Sequence, residues 1–195
     1  MRTRDAQPFP PMPQAPGGNV RRRFQVMIKP GGAACNLECT YCYYLHKAEL
    51  FRQPPSARMS DAVLEAVTRQ YIEANEHDSL VFSWQGGEPC LLGPDFFAKA
   101  LRMQEKYNST GKSVENTLQT NGTLITDEWA AFLKQHKFLV GLSVDGPEYL
   151  HDMHRKDKGG RPSFARLMEG HGHLRRHGVS FTVLTTIHRH NAKKP

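Results

Sequence analysis

The chain has 195 residues, enough for one domain with a hydrophobic core, and its 38% hydrophobic and 23% charged residues are typical of a globular protein. It contains no run of roughly 18 apolar residues that would span a membrane and no apolar secretory signal at its N-terminus, so we expect a cytoplasmic protein without a membrane partner. The net charge of +7 permits nucleic-acid binding, but no motif interleaves aromatic and basic residues in the way such proteins do, and we do not expect it.

The predicted elements begin after a proline-rich N-terminal segment. Its composition cannot bury a core, so we expect residues 1–20 to be disordered and residues 21–195 to form the folded domain. Apolar runs, most of them alternating, predict five strands, at residues 23–30, 79–85, 114–120, 138–144 and 179–187. Apolar residues at helical spacing predict four helices, at residues 60–75, 93–107, 126–136 and 162–178. The apolar face predicted for the first of them consists of Val63, Leu64, Val67, Tyr71 and Ile72. Ser60 and Thr126 are suitable N-caps. This alternation of strand and helix is typical of an α/β fold with a parallel sheet.

Each of the first four predicted strands leads into a polar or glycine-rich loop. The loops are "CNLECTYCYY", "QGGEP", "QTNG" and "SVDGP", in chain order. Because parallel strands place their carboxyl ends at one edge of the sheet, we expect these loops to meet there and to form the functional site.

The first of these loops carries three cysteines, Cys35, Cys39 and Cys42, with the spacing C-x3-C-x2-C. In a reducing compartment, clustered cysteines favour metal binding over disulfides. Three thiolates can hold three irons of a 4Fe–4S cluster and leave the fourth iron open for a substrate or cofactor. A zinc site that adds His46 is the alternative. Cys90 lies in another loop and is interpreted as a buried small residue, although it is also a possible fourth ligand.

The cysteine motif and the loops together resemble the radical S-adenosylmethionine (SAM) superfamily. Five stretches are similar to its anaerobic sulfatase-maturating branch: "CNLECTYCYY", "WQGGEPCLLGPDFF", "LQTNGTLI", "VGLSVDGPEYLHDMHR" and "SFTVLTTI". The resemblance implies a partial (βα) TIM-like barrel of parallel strands, the radical SAM core. It implies that the three cysteines bind the 4Fe–4S cluster and that four residues contact S-adenosylmethionine, namely Tyr41, Gly87, Ser143 and Arg155. His154 stands where the family usually has tyrosine, and Cys90 where threonine is common.

The resemblance also implies an activity. A reduced cluster would cleave S-adenosylmethionine to a 5′-deoxyadenosyl radical, which would start the oxidation of a cysteine or serine of a sulfatase polypeptide to formylglycine. The expected partners are that sulfatase and a reduced electron donor such as a flavodoxin or ferredoxin. Two alternatives remain open: another radical SAM peptide-modifying enzyme, or a truncated remnant that binds cluster or cofactor without catalysis.

The length of the chain departs from the family pattern. Such enzymes continue into a cysteine-rich C-terminal domain, and their general base is an aspartate that would lie beyond Pro195, so no catalytic residue is assigned here. We therefore expect an incomplete core whose last strand lies at an edge, and a 195-residue chain that does not make formylglycine at a useful rate alone. His173 and His177, four residues apart on a predicted helix, are interpreted as surface histidines rather than metal ligands.

Overall fold

The structure is a computed structural model that describes residues 23–44 and 58–194. The predicted disordered segment, residues 1–20, lies outside the described residues, as does His46. Five strands are β1 (Val26–Ile28), β2 (Ser79–Trp84), β3 (Ser113–Thr120), β4 (Leu139–Ser143) and β5 (Phe181–Leu184). Five α-helices are α1 (Asp61–Ala74), α2 (Pro94–Tyr107), α3 (Asp127–Gln135), α4 (Glu148–His154) and α5 (Phe164–Arg176), with a 3₁₀ helix at Pro89–Leu92. None of these helices is long and apolar enough to cross a membrane.

The five strands form one parallel sheet in the order β1-β2-β3-β4-β5. Strands that follow one another along the chain are also neighbours in the sheet, as in the wall of a (βα) barrel. Among the described residues β1 and β5 are the two edges, so the barrel is partial. The predicted fold class is confirmed, and β5 is the edge strand that the sequence indicated.

β5 is shorter than the predicted strand at residues 179–187. It ends at Leu184 because the next residues bind the β4 loop through other contacts. The Thr185 hydroxyl donates to the carbonyl of Val144 at 2.7 Å, and the Thr186 N–H donates to Asp145 Oδ1 at 3.0 Å. The chain therefore turns into the carboxyl edge of the sheet instead of continuing along β4.

The core lies between one face of the sheet and the helices. Phe97 is fully buried, and its ring meets four aromatic side chains nearly edge-on, with ring centroids 5.3–6.2 Å apart: Trp84, Phe96, Trp129 and Phe138. Edge-to-face pairs of this kind each contribute about 0.5–1.5 kcal/mol beyond the area they bury. This cluster holds α2 and α3 against β2 and the start of β4.

The opposite face of the sheet is not covered by any helix of the described residues, and Met27, Leu139 and Leu184 are exposed on it. Alternate strand residues line a cavity of about 270 Å³ there, among them Met27, Ser83, Thr117, Gly141 and Thr182. The wall also includes Leu139 and Leu184, so it mixes small, polar and apolar side chains. The face leads directly to the carboxyl ends of the strands.

Two predicted helix starts are confirmed. The Ser60 hydroxyl accepts from the N–H of Val63, and the Thr126 hydroxyl accepts from the N–H of Trp129, each at 3.3 Å. The predicted apolar face of α1 was wrong at one position, because Val63 is 53% exposed while Thr68 is buried instead. The helix is rotated so that Leu64 and Thr68, four residues apart, face the core.

Gly170 allows α5 to pack closely on the loop after β3. A Cβ atom at Gly170 would lie 2.1 Å from the carbonyl oxygen of Gly122, which no real contact permits. Gly172, two residues further on, meets only the end of the Arg176 side chain, at 3.6 Å. Glycine weakens a helix at either position, but only Gly170 is required by packing.

Candidate functional site

The carboxyl ends of the five strands surround a cavity of about 270 Å³. The loop after each strand contributes to its wall, and the seven residues assigned from the sequence to a cluster or cofactor all line it: Cys35, Cys39, Tyr41, Cys42, Gly87, Ser143 and Arg155. Four further lining residues also come from these loops or strand ends, namely Gln119, Thr120, Asn121 and Thr186. The structure therefore brings the predicted residues together in one place, although their roles stay predictions.

The cysteine loop is held by the loops on either side of it. The Thr40 N–H donates to the carbonyl of His154 at 3.0 Å, at the end of α4. On the other side, Asn36 Nδ2 donates to Thr123 Oγ1 at 2.8 Å, and Asn121 Nδ2 donates to Asn36 Oδ1 at 2.9 Å. Side-chain and backbone bonds thus fix a loop that has no regular secondary structure, as binding loops require.

The three cysteines of this loop are free thiols, of which Cys39 is buried and Cys35 and Cys42 are partly buried. Burial raises the pKa of Cys35 to about 12, and the carboxylate of Glu88 adds to the rise. Burial also raises the pKa of Cys39 to about 11, against the opposing charge of Arg155. Since metals bind thiolates, a cation that binds here must displace these protons, and metal binding and proton release are coupled.

Gly87 is required by the protein's own backbone. A Cβ atom at Gly87 would lie 2.0 Å from the carbonyl oxygen of Ala34, and the Gly87 N–H donates to the carbonyl of Gly32 at 2.9 Å. Gly86 has a φ of +129°, a conformation that side chains disfavour. The resemblance assigned Gly87 to a cofactor contact. The structure shows that the glycine pair also has a packing role, because it allows residues 32–34, just before the cysteines, to contact the β2 loop.

Glu88 is a buried carboxylate that the sequence did not single out. It is 2% exposed. Its Oε1 accepts from the N–H of Cys90 at 3.0 Å and from Thr120 Oγ1 at 2.7 Å, while Oε2 accepts from the N–H of Asn121 at 2.8 Å. Burial raises the pKa of Glu88, and these hydrogen bonds oppose the rise. Its role is to join the β2 loop to the β3 loop. An acidic residue between a glycine pair and a proline at a strand end was the available signal.

Asp145 and Arg155 form a buried ion pair at the centre of the site. Arg155 Nε and Nη2 donate to the two carboxylate oxygens of Asp145 at 2.8 and 3.1 Å, and the Tyr41 hydroxyl also donates to Asp145. Burial alone would raise the pKa of Asp145, but the hydrogen bonds and charge of Arg155, with the bonds from Tyr41 and Thr186, bring it below its usual value. The Asp145 carboxylate thus binds the cysteine loop, the segment after α4 and the segment after β5.

This arrangement qualifies the expectation for Arg155. The resemblance assigned Arg155 to S-adenosylmethionine, and the structure gives its guanidinium a resident carboxylate partner as well. Two of its nitrogens are used by Asp145, and its guanidinium carbon lies 5.6 Å from the centre of the Tyr41 ring. Among the described residues the other N–H groups of this guanidinium form no hydrogen bond, which leaves them to a ligand in the cavity. Asp145, which follows the β4 strand in "SVDGP", was missed as an individual residue.

Cys90 is buried and lies away from the cavity wall. It is 4% exposed, and its thiol donates to Thr120 Oγ1 at 3.4 Å. Burial raises the pKa of Cys90 well above its usual value. These contacts support the interpretation of Cys90 as a buried small residue at a strand end.

His173 on α5 and His177, which follows the last residue of α5, contact a carboxylate on α3. His173 Nδ1 and His177 Nε2 lie 3.4 and 2.9 Å from Asp127 Oδ1, and Arg176 lies 3.7 Å from the same oxygen. Asp127 is exposed at the start of its helix. The contacts support a surface ion-pair cluster that joins two helices, in agreement with the interpretation of these residues as surface histidines.

Comparison with known proteins identifies related sequences. The family model described as the radical SAM superfamily matches residues 30–194. The chain is 44% identical over 170 residues to a serine-type anaerobic sulfatase-maturating enzyme of Bacteroides thetaiotaomicron, covering 87% of this chain and 41% of that protein. It is 40% identical over 169 residues to a cysteine-type anaerobic sulfatase-maturating enzyme of Clostridium perfringens, covering 86% of this chain and 45% of that protein.

Comparison with solved structures identifies the same fold. The native anSMEcpe structure with bound AdoMet and Cp18Cys peptide superposes with a TM-score of 0.79 at 37% identity, covering 88% of this chain and 45% of that one. Native anSMEcpe with bound AdoMet alone gives a TM-score of 0.79 at 38% identity, covering 86% of this chain and 46% of that one. The chain thus spans less than half the length of these relatives.

Proposed function

The chain belongs to the radical SAM superfamily, and from this premise we propose that it binds a 4Fe–4S cluster and S-adenosylmethionine and acts in sulfatase maturation. The proposed reaction oxidises a cysteine or serine of a sulfatase polypeptide to formylglycine. The proposed cluster ligands are Cys35, Cys39 and Cys42. The proposed contacts to S-adenosylmethionine are Tyr41, Gly87, Ser143 and Arg155.

The observation that carries the proposal is the shared cavity wall. Three free thiols from one loop line the same cavity as a buried arginine, a glycine-rich loop and the ends of the strands. Cysteine thiolates are the usual ligands of iron–sulfur clusters. Three of them match a four-iron cluster with one iron left for another ligand, and Cys90 is occupied with Thr120 instead of completing the set. The donor set therefore fits the group.

The remaining site residues supply binding and orientation. When bound, the reduced cluster and S-adenosylmethionine supply one-electron cleavage that generates a carbon radical. Arg155 offers N–H donors to a carboxylate while Asp145 fixes its side chain. The Tyr41 ring covers this guanidinium and keeps it from solvent. Burial of the ion pair holds the positive charge in one position, so a bound carboxylate meets a preorganised partner.

The peptide substrate is proposed from the relatives. Both serine-type and cysteine-type sulfatase-maturating enzymes match this chain at similar identity, 44% and 40%, so the proposal includes both residue types. One solved relative is described with a bound peptide. The electron donor, a reduced flavodoxin or ferredoxin, stays a prediction.

The first test is anaerobic reconstitution with iron and sulfide. We expect a brown protein with about one four-iron cluster per chain, an electron paramagnetic resonance signal on reduction, and a change in that signal when S-adenosylmethionine is added. Cys42→Ala should lose most of the iron. Arg155→Lys, which keeps a positive charge beside Asp145 but loses the planar set of donors, should keep the iron and weaken the response to S-adenosylmethionine. Stoichiometric zinc without an iron–sulfur chromophore would overturn the cofactor assignment.

The second test addresses the substrate. Protein expressed from the complete gene is incubated anaerobically with reductant and a sulfatase-derived peptide, and the product is analysed by mass spectrometry for the aldehyde. A cluster that cleaves S-adenosylmethionine but leaves both the cysteine and the serine peptide unchanged would reject sulfatase maturation and keep the cofactor assignment. The 195-residue chain is run beside it, and multiple turnovers there would contradict the expectation that this chain alone is inactive.

A further inference from the structure

A second cluster of potential metal ligands lies beside the cavity, outside the residues proposed for the cluster and cofactor. His154 ends α4, and His188 and His190 follow β5. One ring nitrogen from each of the three histidines lies within 4.8 Å of the others. The ring centroids are 4.4 Å apart for His154 and His188, 5.5 Å for His154 and His190, and 5.6 Å for His188 and His190. Three imidazoles converge without a carboxylate among them.

In these rings two nitrogens face each other at hydrogen-bond distance, and a third has no partner among the described residues. His154 Nδ1 is hydrogen bonded to Thr40 Oγ1 at 2.6 Å, which leaves Nε2 facing His190 Nδ1 at 3.4 Å. The N–H of His190 lies 3.2 Å from His188 Nδ1, which accepts this bond in the tautomer that protonates Nε2, so metal binding through Nε2 requires the other tautomer and gives up this bond. In the part of the chain that the structure describes, His188 Nε2 is buried and has no hydrogen-bond partner. A buried nitrogen without a partner requires an explanation.

The distance between two of these nitrogens matches a shared ion. Zinc–nitrogen bonds of about 2.0–2.1 Å in a tetrahedral site hold two nitrogens about 3.3–3.4 Å apart. The separation between His154 Nε2 and His190 Nδ1 is 3.4 Å. Neutral imidazoles are the form that binds metal.

Both sides of the cluster are fixed by the fold. Thr40 holds the ring of His154, and its N–H donates to the carbonyl of the same residue at 3.0 Å. The turn that carries the other two histidines is organised by buried Asn191, whose side chain accepts from the N–H of His188 at 2.8 Å and donates to the carbonyl of Thr186 at 2.9 Å. Metal-binding histidines are typically oriented by a hydrogen bond to their other ring nitrogen, as Thr40 provides for His154.

We propose that His154, His188 and His190 form a three-imidazole site for a divalent transition-metal ion, with zinc as the expected ion. Three nitrogen ligands satisfy zinc when water takes the fourth position. Imidazole is a poor ligand for magnesium and calcium, which take oxygen, so those ions are excluded. The site lies next to Tyr41, whose ring is 5.6 Å from that of His154 and 6.3 Å from that of His188. It is distinct from the three thiols.

Cobalt(II) is the probe for this site because its spectrum distinguishes nitrogen from sulfur ligands. The whole chain is titrated anaerobically with Co²⁺, and zinc is then used to displace it. We expect one cobalt ion per chain whose spectrum shows ligand-field bands without thiolate-to-cobalt charge transfer. Any cobalt bound by the cysteines is counted separately, because its spectrum shows that charge transfer. His190→Gln should lower the affinity for this cobalt ion by at least about 100-fold, which is the upper end of the loss caused by removing a supporting hydrogen bond alone. His188→Gln should act in the same way.

Two matched variants control the experiment. The double variant His173→Gln and His177→Gln removes a histidine pair elsewhere on the surface and should bind cobalt like the parent. Thr40→Val should weaken binding by about 10- to 100-fold, and Thr40→Ser, which restores the hydroxyl, should recover it. The proposal is overturned if all bound cobalt shows sulfur ligation, if His190→Gln binds as tightly as the parent, or if the α5 double variant alone loses the ion.

Discussion

Replacing Asp145 by asparagine tests whether the buried ion pair organises the site. The carboxylate accepts from Arg155 Nε and Nη2, from the Tyr41 hydroxyl and from the Thr186 N–H. Asparagine keeps nearly the same shape but has one acceptor oxygen, and its amide N–H₂ would face donors. Asp145→Asn therefore leaves the positive charge of Arg155 in a site where its side chain is only 10% exposed.

The expected loss of stability follows from that burial. Removing one partner of a buried ion pair costs about 3–5 kcal/mol, because the other charge is left without compensation. A domain of this size is stabilised by about 5–15 kcal/mol in total, so the variant should be close to its folding limit. Asp61→Asn is the matched control. It breaks a 2.7 Å pair with Lys99 in which the side chains of Lys99 and Asp61 are 42% and 63% exposed, and exposed pairs contribute about 0–1 kcal/mol.

Urea unfolding of the metal-free chain, followed by circular dichroism, measures both variants. The reasoning is refuted if Asp145→Asn costs no more than Asp61→Asn. Adding Arg155→Met to the Asp145→Asn chain removes the unpaired charge and should recover much of the loss, since apolar replacements of buried pairs are often neutral. The pH dependence has a defined sign. The pKa of Asp145 is lowered in the folded chain, so its stabilisation is complete above its usual pKa and is lost as the pH falls through the folded value.

Three further predictions follow from single contacts. Cys90→Ala should keep the iron of the reconstituted protein while Cys42→Ala loses it, measured as iron per chain, and equal losses would make Cys90 a ligand. Burial lowers the pKa of His151 from its usual 6.5 to about 4, so between those pH values the unfolded chain binds a proton that the folded chain does not. Acidification across this range should therefore lower the free energy of unfolding by about 3 kcal/mol. His151→Gln should reduce the dependence of the free energy of unfolding on pH in this range, and an unchanged slope would contradict the argument. Gly170→Ala should destabilise the chain because its methyl group meets the backbone of the β3–α3 loop, whereas Gly172→Ala should stabilise it by about 0.5–1 kcal/mol; thermal unfolding decides, and equal shifts would contradict the packing argument.

The parts of the fold that were predicted correctly depend on short-range patterns. Five strands and four helices follow from periodicity, and the caps at Ser60 and Thr126 follow from residue type and position. α4 was missed because its seven residues, Glu148–His154, bury only Leu150 and His151. That is too short a segment for a helical period to be visible. Val63 was misplaced because several rotations of an apolar helix face satisfy the same spacing.

The parts of the site that were missed depend on contacts between distant segments. Spacing brought Cys35, Cys39 and Cys42 together because they share one loop. The importance of Asp145 could not be found in this way, because it depends on bonds from three segments. Arg155 is ten residues away in the sequence, whereas Tyr41 and Thr186 are 104 and 41 residues away. Only the folded sheet places those loops side by side.

The two missed carboxylates explain how the site stays ordered without an apolar core of its own. Glu88 joins the β2 and β3 loops, and Asp145 joins the cysteine loop to the segments that follow α4 and β5. Asp145 has a cation as partner, whereas the described hydrogen bonds to Glu88 come from neutral donors. Their pKa values accordingly shift in opposite directions, downward for Asp145 and upward for Glu88. Acidification therefore removes the stabilisation from Asp145 but relieves the cost of the buried Glu88 charge. Two groups thus hold the edge of the sheet that carries the thiols. The Asp145–Arg155 ion pair is strong only when Asp145 is ionised. The Glu88 carboxyl group can accept hydrogen bonds whether it is ionised or protonated, because a protonated carboxyl group still has acceptor oxygens.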